Sequence, residues 1–212
     1  MKKQADVLFE LTDAVIQTPQ PASFTELALA PALTRGWSSL SEALSTGRLD
    51  EAALRQLCLT HLPTGRTRYH FALDVTSVRR MHSPTLDERV YCHGAPREVG
   101  GKGLVIGLPY SLLAFVEQRG ASWAPTVHTQ RVKPGESAVA VALTQTSWLA
   151  EHLPSEVTAE TALDGGYGNL PFFLGVQGQR LFATARMRND RVLYQIPSPP
   201  PVGAKPRGRP AK

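Results

Sequence analysis

Residues 68–80 read RYHFALDVTSVRR, and the fold is read outward from them. Tyr69, Phe71, Leu73 and Val75 alternate with His70, Ala72, Asp74 and Thr76. A period of two marks a β-strand with one apolar face. Asp74 falls mid-strand, on the face opposite Phe71, Leu73 and Val75. Aspartate is depleted in strands, and a buried carboxylate is costly unless it is paired or binds a metal. Either that face meets solvent, or Asp74 has a cationic partner. An ordinary half-exposed strand aspartate and a metal ligand both satisfy the pattern.

A second stretch, residues 157–169, reads VTAETALDGGYGN. The short run Val157–Leu163 ends in Asp164 and is followed by Gly165, Gly166, Tyr167 and Gly168. A carboxylate at a strand end before a glycine-rich turn stands where an α/β sheet places functional groups. The glycines permit positive φ and close backbone approach. Asp-Gly is also a common turn dipeptide. Two acids at paired strand positions of one sheet are more specific than either alone.

The rest of the chain supplies a core around these strands. Its 212 residues, 42% of them apolar, suit one domain with an appendage. The net charge of +5 is compatible with a nucleic-acid partner. Much of the excess sits in the final KPRGRPAK, which holds no acid. Cys58 and Cys92 form no Cys-x-x-Cys pair, so neither a zinc ribbon nor a disulfide framework is expected, and a reducing cytoplasm fits. The opening MKKQADVLFELTDAV is interrupted by Asp6, Glu10 and Asp13 and does not read as a signal peptide. No segment approaches the roughly 20 apolar residues of a membrane span.

Residues 1–64 read as helical. Val7, Leu8, Leu11, Val15 and Ile16 recur at helical spacing, and runs at Ser23–Leu33, Ser39–Leu44 and Asp50–His61 follow, the last with Asp50 as its cap. Arg48 and Arg55 are the bases on the third and fourth helices, so packing on the core is favoured over base readout. Beyond residue 65, strands are expected at Arg89–His93, in the run Leu104–Val116 (broken at Gly107 and Pro109), and near Trp123–Val132. Val139, Ala142, Leu143, Thr146, Leu149 and Leu153 predict an amphipathic helix. A further helix is expected over Asn169–Val176, near Pro171, with strands at Arg180–Ala185 and Arg191–Ile196. This order implies an α/β fold.

Four motifs, in order, carry a resemblance: ALDVTSVRR, GLPYSLLAFVEQRGASW, ALDGGYGN and ATARMRNDRVLY. Together they resemble the catalytic domain of DDE-type transposases from bacterial insertion sequences, from about Leu49 onward. The resemblance implies an RNase H-like mixed sheet with flanking helices, carrying the first Asp midway along its first strand and the second after its fourth. Asp74 and Asp164 match those positions, which makes them the expected catalytic residues and metal ligands. The family's third acid, a Glu on a helix, comes after the ATARMRNDRVLY region, and this chain stops before it. The expectation is therefore a truncated chain with an incomplete sheet, inactive by itself. Its regions are a helical 1–64, a partial DDE domain over 65–197, and a disordered Pro/Arg-rich tail over 198–212.

Two carboxylates on neighbouring strands make an oxygen-rich site of the kind Mg²⁺ or Mn²⁺ prefers. Two such ions about 4 Å apart serve phosphodiester chemistry, and a pair of aspartates leaves that site under-ligated. Arg186 and Arg188 are candidates for DNA phosphate contact, with solvated loop charges as the plain alternative. Arg207-Gly208-Arg209-Pro210 resembles an AT-hook core, whose arginines read the minor groove. Similar linkers also occur at this place in the transposase family, so a plain linker stays open. Double-stranded DNA, both element ends and target, is the expected partner, with homo-oligomers on paired ends. Neither a membrane nor a small-molecule substrate is expected. The expected setting is the bacterial cytoplasm, in association with the nucleoid. A DNA-binding remnant that regulates transposition and a decayed fragment are the competing readings. The glycines at 101, 103 and 107 lack dinucleotide-loop spacing, the six histidines show no metal-binding spacing, and Ser111 has no nucleophile-elbow context.

Overall fold

The computed structural model describes residues 4–19, 23–93, 103–116, 124–187 and 189. The expected strand at Arg191–Ile196 and the tail over 198–212 lie outside the described residues. Four helices come first: α1 (Ala5–Gln17), α2 (Phe24–Leu27), α3 (Trp37–Thr46) and α4 (Glu51–Thr60). Ser23 opens α2 by accepting the Glu26 N–H at 3.2 Å. The helix then ends six residues sooner than the Ser23–Leu33 run suggests. Pro31 explains this, since it has no N–H and disfavours helical backbone in the residue before it. Asp50 caps α4 as expected, accepting the Ala53 N–H at 3.1 Å. Ala14, Leu27, Ala30, Leu33 and Leu40 bury against one another in a cluster of their own. Helix α4 buries none of its residues fully and instead leans on the sheet.

The sheet holds six strands: β1 (Arg68–Arg79), β2 (Val90–His93), β3 (Leu104–Phe115), β4 (Thr126–Arg131), β5 (Thr158–Leu163) and β6 (Leu181–Ala185). Its order is β2-β3-β1-β5-β6, with β4 also pairing β3. Strand β1 is the pivot. It runs antiparallel to β3 and parallel to β5, which in turn runs parallel to β6. Strands β2 and β4 share one edge of β3, β2 along Leu104–Gly107 and β4 along Tyr110–Ala114. The result is the mixed α/β architecture the strand and helix order implied.

Strand β3 differs from expectation. Gly107 and Pro109 do not break it, and it pairs with β1 from Gly107 to Phe115. Gly107 is needed for closeness: a Cβ there would lie 2.4 Å from the Val78 carbonyl oxygen. Pro109 gives no N–H to the ladder but still accepts the Val132 N–H at 2.9 Å.

Helices α5 (Ala138–His152) and α6 (Leu170–Val176) cover the face carrying Tyr69, Phe71 and Leu73. Ser137 caps α5 and Asn169 caps α6, with Pro171 in the first turn of α6. Gln145, fully buried on α5, ties that helix to two strands. Its Oε1 accepts from the Ser111 hydroxyl at 2.6 Å, and its Nε2 donates to the carbonyls of Ser111 (3.1 Å) and His128 (3.2 Å). The Arg180 guanidinium closes the C-terminus of α5 by donating to the Ala150, Leu153 and Pro154 carbonyls. The Ala150 carbonyl is one that the helix end leaves without a backbone partner, because Pro154 has no N–H to give it. Among the described residues no helix is long and apolar enough to cross a membrane.

Candidate active site

The two aspartates are brought together by register. In the β1–β5 ladder Arg68 stands opposite Thr158, and Leu73 opposite Leu163. One step further along each strand come Asp74 and Asp164. In the β5–β6 ladder Leu163 stands opposite Ala185, and the next step brings Asp164 level with Arg186. The Arg186 N–H bonds the Leu163 carbonyl at 3.3 Å and continues that ladder. Asp74, midway along β1, thus stands level with Asp164 and Arg186, which come just after the ends of β5 and β6.

Both carboxylates are exposed, so the first alternative for Asp74 holds: its face of β1 meets solvent. Each is steered by a backbone N–H. Val75 N–H donates to Asp74 Oδ1 at 2.7 Å, and Gly166 N–H donates to Asp164 Oδ1 at 2.9 Å. The turn after Asp164 is self-bonded, with Tyr167 N–H on the Asp164 carbonyl at 3.1 Å and Asn169 Nδ2 on the Gly166 carbonyl at 3.2 Å. Its glycines do not use positive φ, which among the described glycines falls at Gly65, Gly103, Gly135 and Gly178. Gly168 answers instead to close approach, since a Cβ there would lie 3.2 Å from the Arg186 carbonyl oxygen.

Asp74 and Asp164 line one cavity of about 650 Å³, together with Tyr167, Glu136 and an apolar wall that includes Val75, Pro109 and Val139. Tyr167 is the residue that sequence reasoning passed over. Its ring is 5% exposed and meets Phe172 edge-on at 6.2 Å. Burial pushes its hydroxyl up to about 12, with the charges of Asp74 and then Asp164 adding in the same direction and the neighbouring Ser111 hydroxyl opposing them. The phenol is therefore protonated and a donor at neutral pH. Ser111 gives its own proton to Gln145 at 2.6 Å, which leaves its oxygen as an acceptor beside the Tyr167 hydroxyl. The one sequence signal for it was an aromatic residue set among the glycines after Asp164.

The donor set fits a hard divalent cation: two carboxylates side by side, accessible, each with an oxygen anchored by the backbone. Among the described residues there is no group of three or more His, Cys, Asp or Glu that could hold a metal ion. Arg186 is exposed beside Asp164, while Arg188, Arg207 and Arg209 lie outside the described residues. A second cavity, of about 660 Å³, opens between α4 and β4 and contains neither aspartate. At its wall Arg55 donates to His128 Nε2 at 2.8 Å. Burial first, and the Arg55 charge second, pull His128 down to about 4.

Comparison with known proteins places the sequence in a family. No curated protein matches the chain. Among solved structures, a piggyBac transposase in a synaptic complex with hairpin DNA is similar at 10% identity and a TM-score of 0.44. The similarity covers 89% of this chain and 42% of that one, so the chain spans less than half of that neighbour's length. The profile of the DDE superfamily endonucleases matches residues 1–212, the whole of the sequence. The chain belongs to the DDE superfamily endonuclease family.

Proposed function

We propose that the chain is the N-terminal portion of a DDE transposase of a bacterial insertion sequence, acting in DNA strand cleavage and strand transfer. In this reading residues 1–64 are a helical accessory region, 65–197 carry the catalytic sheet, and 198–212 form a tail. The observation that carries it is the placement of Asp74 and Asp164 at adjacent ladder positions, lining one cavity. Family membership supports the same chemistry.

Asp74 and Asp164 would hold Mg²⁺ or Mn²⁺. A bound cation of this kind supplies Lewis-acid stabilisation of charge on a phosphodiester and lowers the pKa of water. The chain's own residues position that chemistry. The N–H groups of Val75 and Gly166 orient the two carboxylates. Arg186, at the neighbouring ladder position, would take a backbone phosphate of double-stranded DNA. Arg188, Arg207 and Arg209 would add sequence-independent phosphate or groove contacts. Two aspartates under-ligate a two-metal site, and a third carboxylate would complete it. Element ends and target are the proposed DNA partners, bound by a homo-oligomer.

Sequencing the DNA downstream of the Lys212 codon tests this. The expected result is a continuing frame, direct or after one frameshift, that encodes a helix with a Glu, with inverted repeats flanking the whole. Unrelated sequence without flanking repeats would contradict it.

A further inference from the structure

Of the described residues that line the aspartate cavity, Lys133 alone is a lysine or arginine. The acids there are Asp74, Asp164 and Glu136. The ion pairs of the described residues engage Arg35, Arg68, His70 and Arg131, and Lys133 is in none of them. Glu136 instead turns its Oε2 to the Lys133 backbone N–H, at 3.0 Å. The exposed ammonium thus lines the cavity without a carboxylate partner.

It stands on a fixed base. Val132 is buried, and its N–H bonds the Pro109 carbonyl of β3 at 2.9 Å. Residues Lys133–Glu136 then form a turn, closed by the Glu136 N–H on the Lys133 carbonyl at 3.0 Å. Pro134 and Gly135 hold its two central positions, Gly135 at φ +79°, which is the chemistry of a type II turn. Ser137 follows as the cap of α5. Topology sets this turn and Arg186 on opposite flanks of the aspartates. Strand β4 pairs β3 on one side of β1, while β5 and β6 lie on the other. Lys133 comes after the end of β4, and Arg186 after the end of β6. Across the sheet the order is therefore Lys133, Asp74, Asp164, Arg186.

We infer that Lys133 binds a backbone phosphate of the DNA strand whose phosphodiester lies at Asp74 and Asp164, on the flank opposite Arg186. That DNA strand then runs across the β-strands rather than along them. An ammonium takes a phosphate as a point charge on a flexible stem, with no bonding plane to satisfy. Such contacts fix register and carry no sequence information. The inference rests on the proposed role of Asp74 and Asp164.

The test is fluorescence anisotropy of a labelled DNA duplex titrated with the full 212-residue chain in EDTA buffer, over a range of potassium chloride concentrations. Lys133→Gln, Lys133→Arg, Arg48→Gln, Asp74→Asn and Asp164→Asn are measured alongside. In K133Q the dependence of log affinity on log salt should become shallower by about 0.9, the share of one B-DNA phosphate, and equally so for duplexes of unrelated sequence. K133R should keep the full slope, as should R48Q, which removes an exposed charge outside the cavity. D74N and D164N should bind DNA more tightly, because each removes a negative charge from beside the phosphates. An unchanged slope in K133Q, or an equal change in R48Q, overturns the Lys133 inference, and tighter binding by D74N and D164N then leaves the aspartate reading standing. A shallower slope in K133Q with no effect of either aspartate substitution overturns the placement of DNA at the aspartates, and the inference with it. Failure of the unsubstituted chain to bind DNA overturns both.

Discussion

Acid should loosen the junction between α4 and the sheet, and the magnitude follows from His128. The imidazole is 3% exposed. It accepts from Arg55 at Nε2 and meets Trp148 edge-on at 5.1 Å, while Arg55 also lies over the Trp148 ring at 5.9 Å. Protonation would turn the acceptor into a donor facing a guanidinium. Burial of the ring first, and the Arg55 charge second, lower its pKa from the ordinary 6.5 to about 4 in the folded chain. Between those two values the unfolded chain takes up a proton that the folded chain refuses, so stability falls as pH drops through that window. Above it the ring is neutral in both states and costs nothing. A tenfold change in proton affinity is worth about 1.4 kcal/mol, so the full loss from neutral pH down to the folded value is roughly 3 kcal/mol. For a chain of this size that is a fall in Tm of about 6–12 °C. Urea denaturation of the unsubstituted chain and of His128→Gln, repeated at steps between neutral and acid pH, isolates the effect. Glutamine keeps an acceptor for Arg55 but does not titrate. The difference in stability between the two chains should close by roughly 3 kcal/mol on acidification. A difference that stays constant with pH would refute the reasoning.

Two further substitutions test the fold that presents the site. Gln145→Leu strips the Ser111 hydroxyl and two carbonyls of a partner inside the core, and should cost at least about 3 kcal/mol at roughly 1–3 kcal/mol for each stranded group, read as a shift of the denaturation midpoint at constant slope. Gly107→Ala pushes a methyl group against the Val78 carbonyl at the β1–β3 crossing. Overpacking of this kind costs about 1–3 kcal/mol, and the sheet on both sides of Gly107 leaves little room to relax, so the upper end is expected in the same assay.

The alternation in residues 68–76 was enough to place β1 and the apolar face that α5 and α6 cover. Caps were legible too: Asp50 and the start of α6 near Pro171 follow from local chemistry alone. Pairing was not, because register is a non-local property. Nothing within either motif says that Asp74 and Asp164 fall at the same level of a parallel ladder, and only the resemblance suggested that they share a site. Arg186 gains its place beside them by the same register. Local rules misled where tertiary contact overrode them. Gly107 and Pro109 read as breakers, yet the strand continues through both, the glycine serving close approach to Val78. The glycines at 165–168 suggested positive φ, and the backbone there uses none. Tyr167 escaped attention because its burial in the same cavity as the two aspartates is a tertiary property that no local pattern records.

The central claim is that Asp74 and Asp164 form one cation site. Its most direct test is the change in Tm of the 212-residue chain across a Mn²⁺ titration, repeated with Asp74→Asn and Asp164→Asn. Ligand that binds only the folded state raises stability by about 2.7 kcal/mol at one hundred times its dissociation constant. The account predicts a saturable rise in the unsubstituted chain and no rise in either variant. An equal rise in all three proteins, or none in the unsubstituted chain, would contradict it.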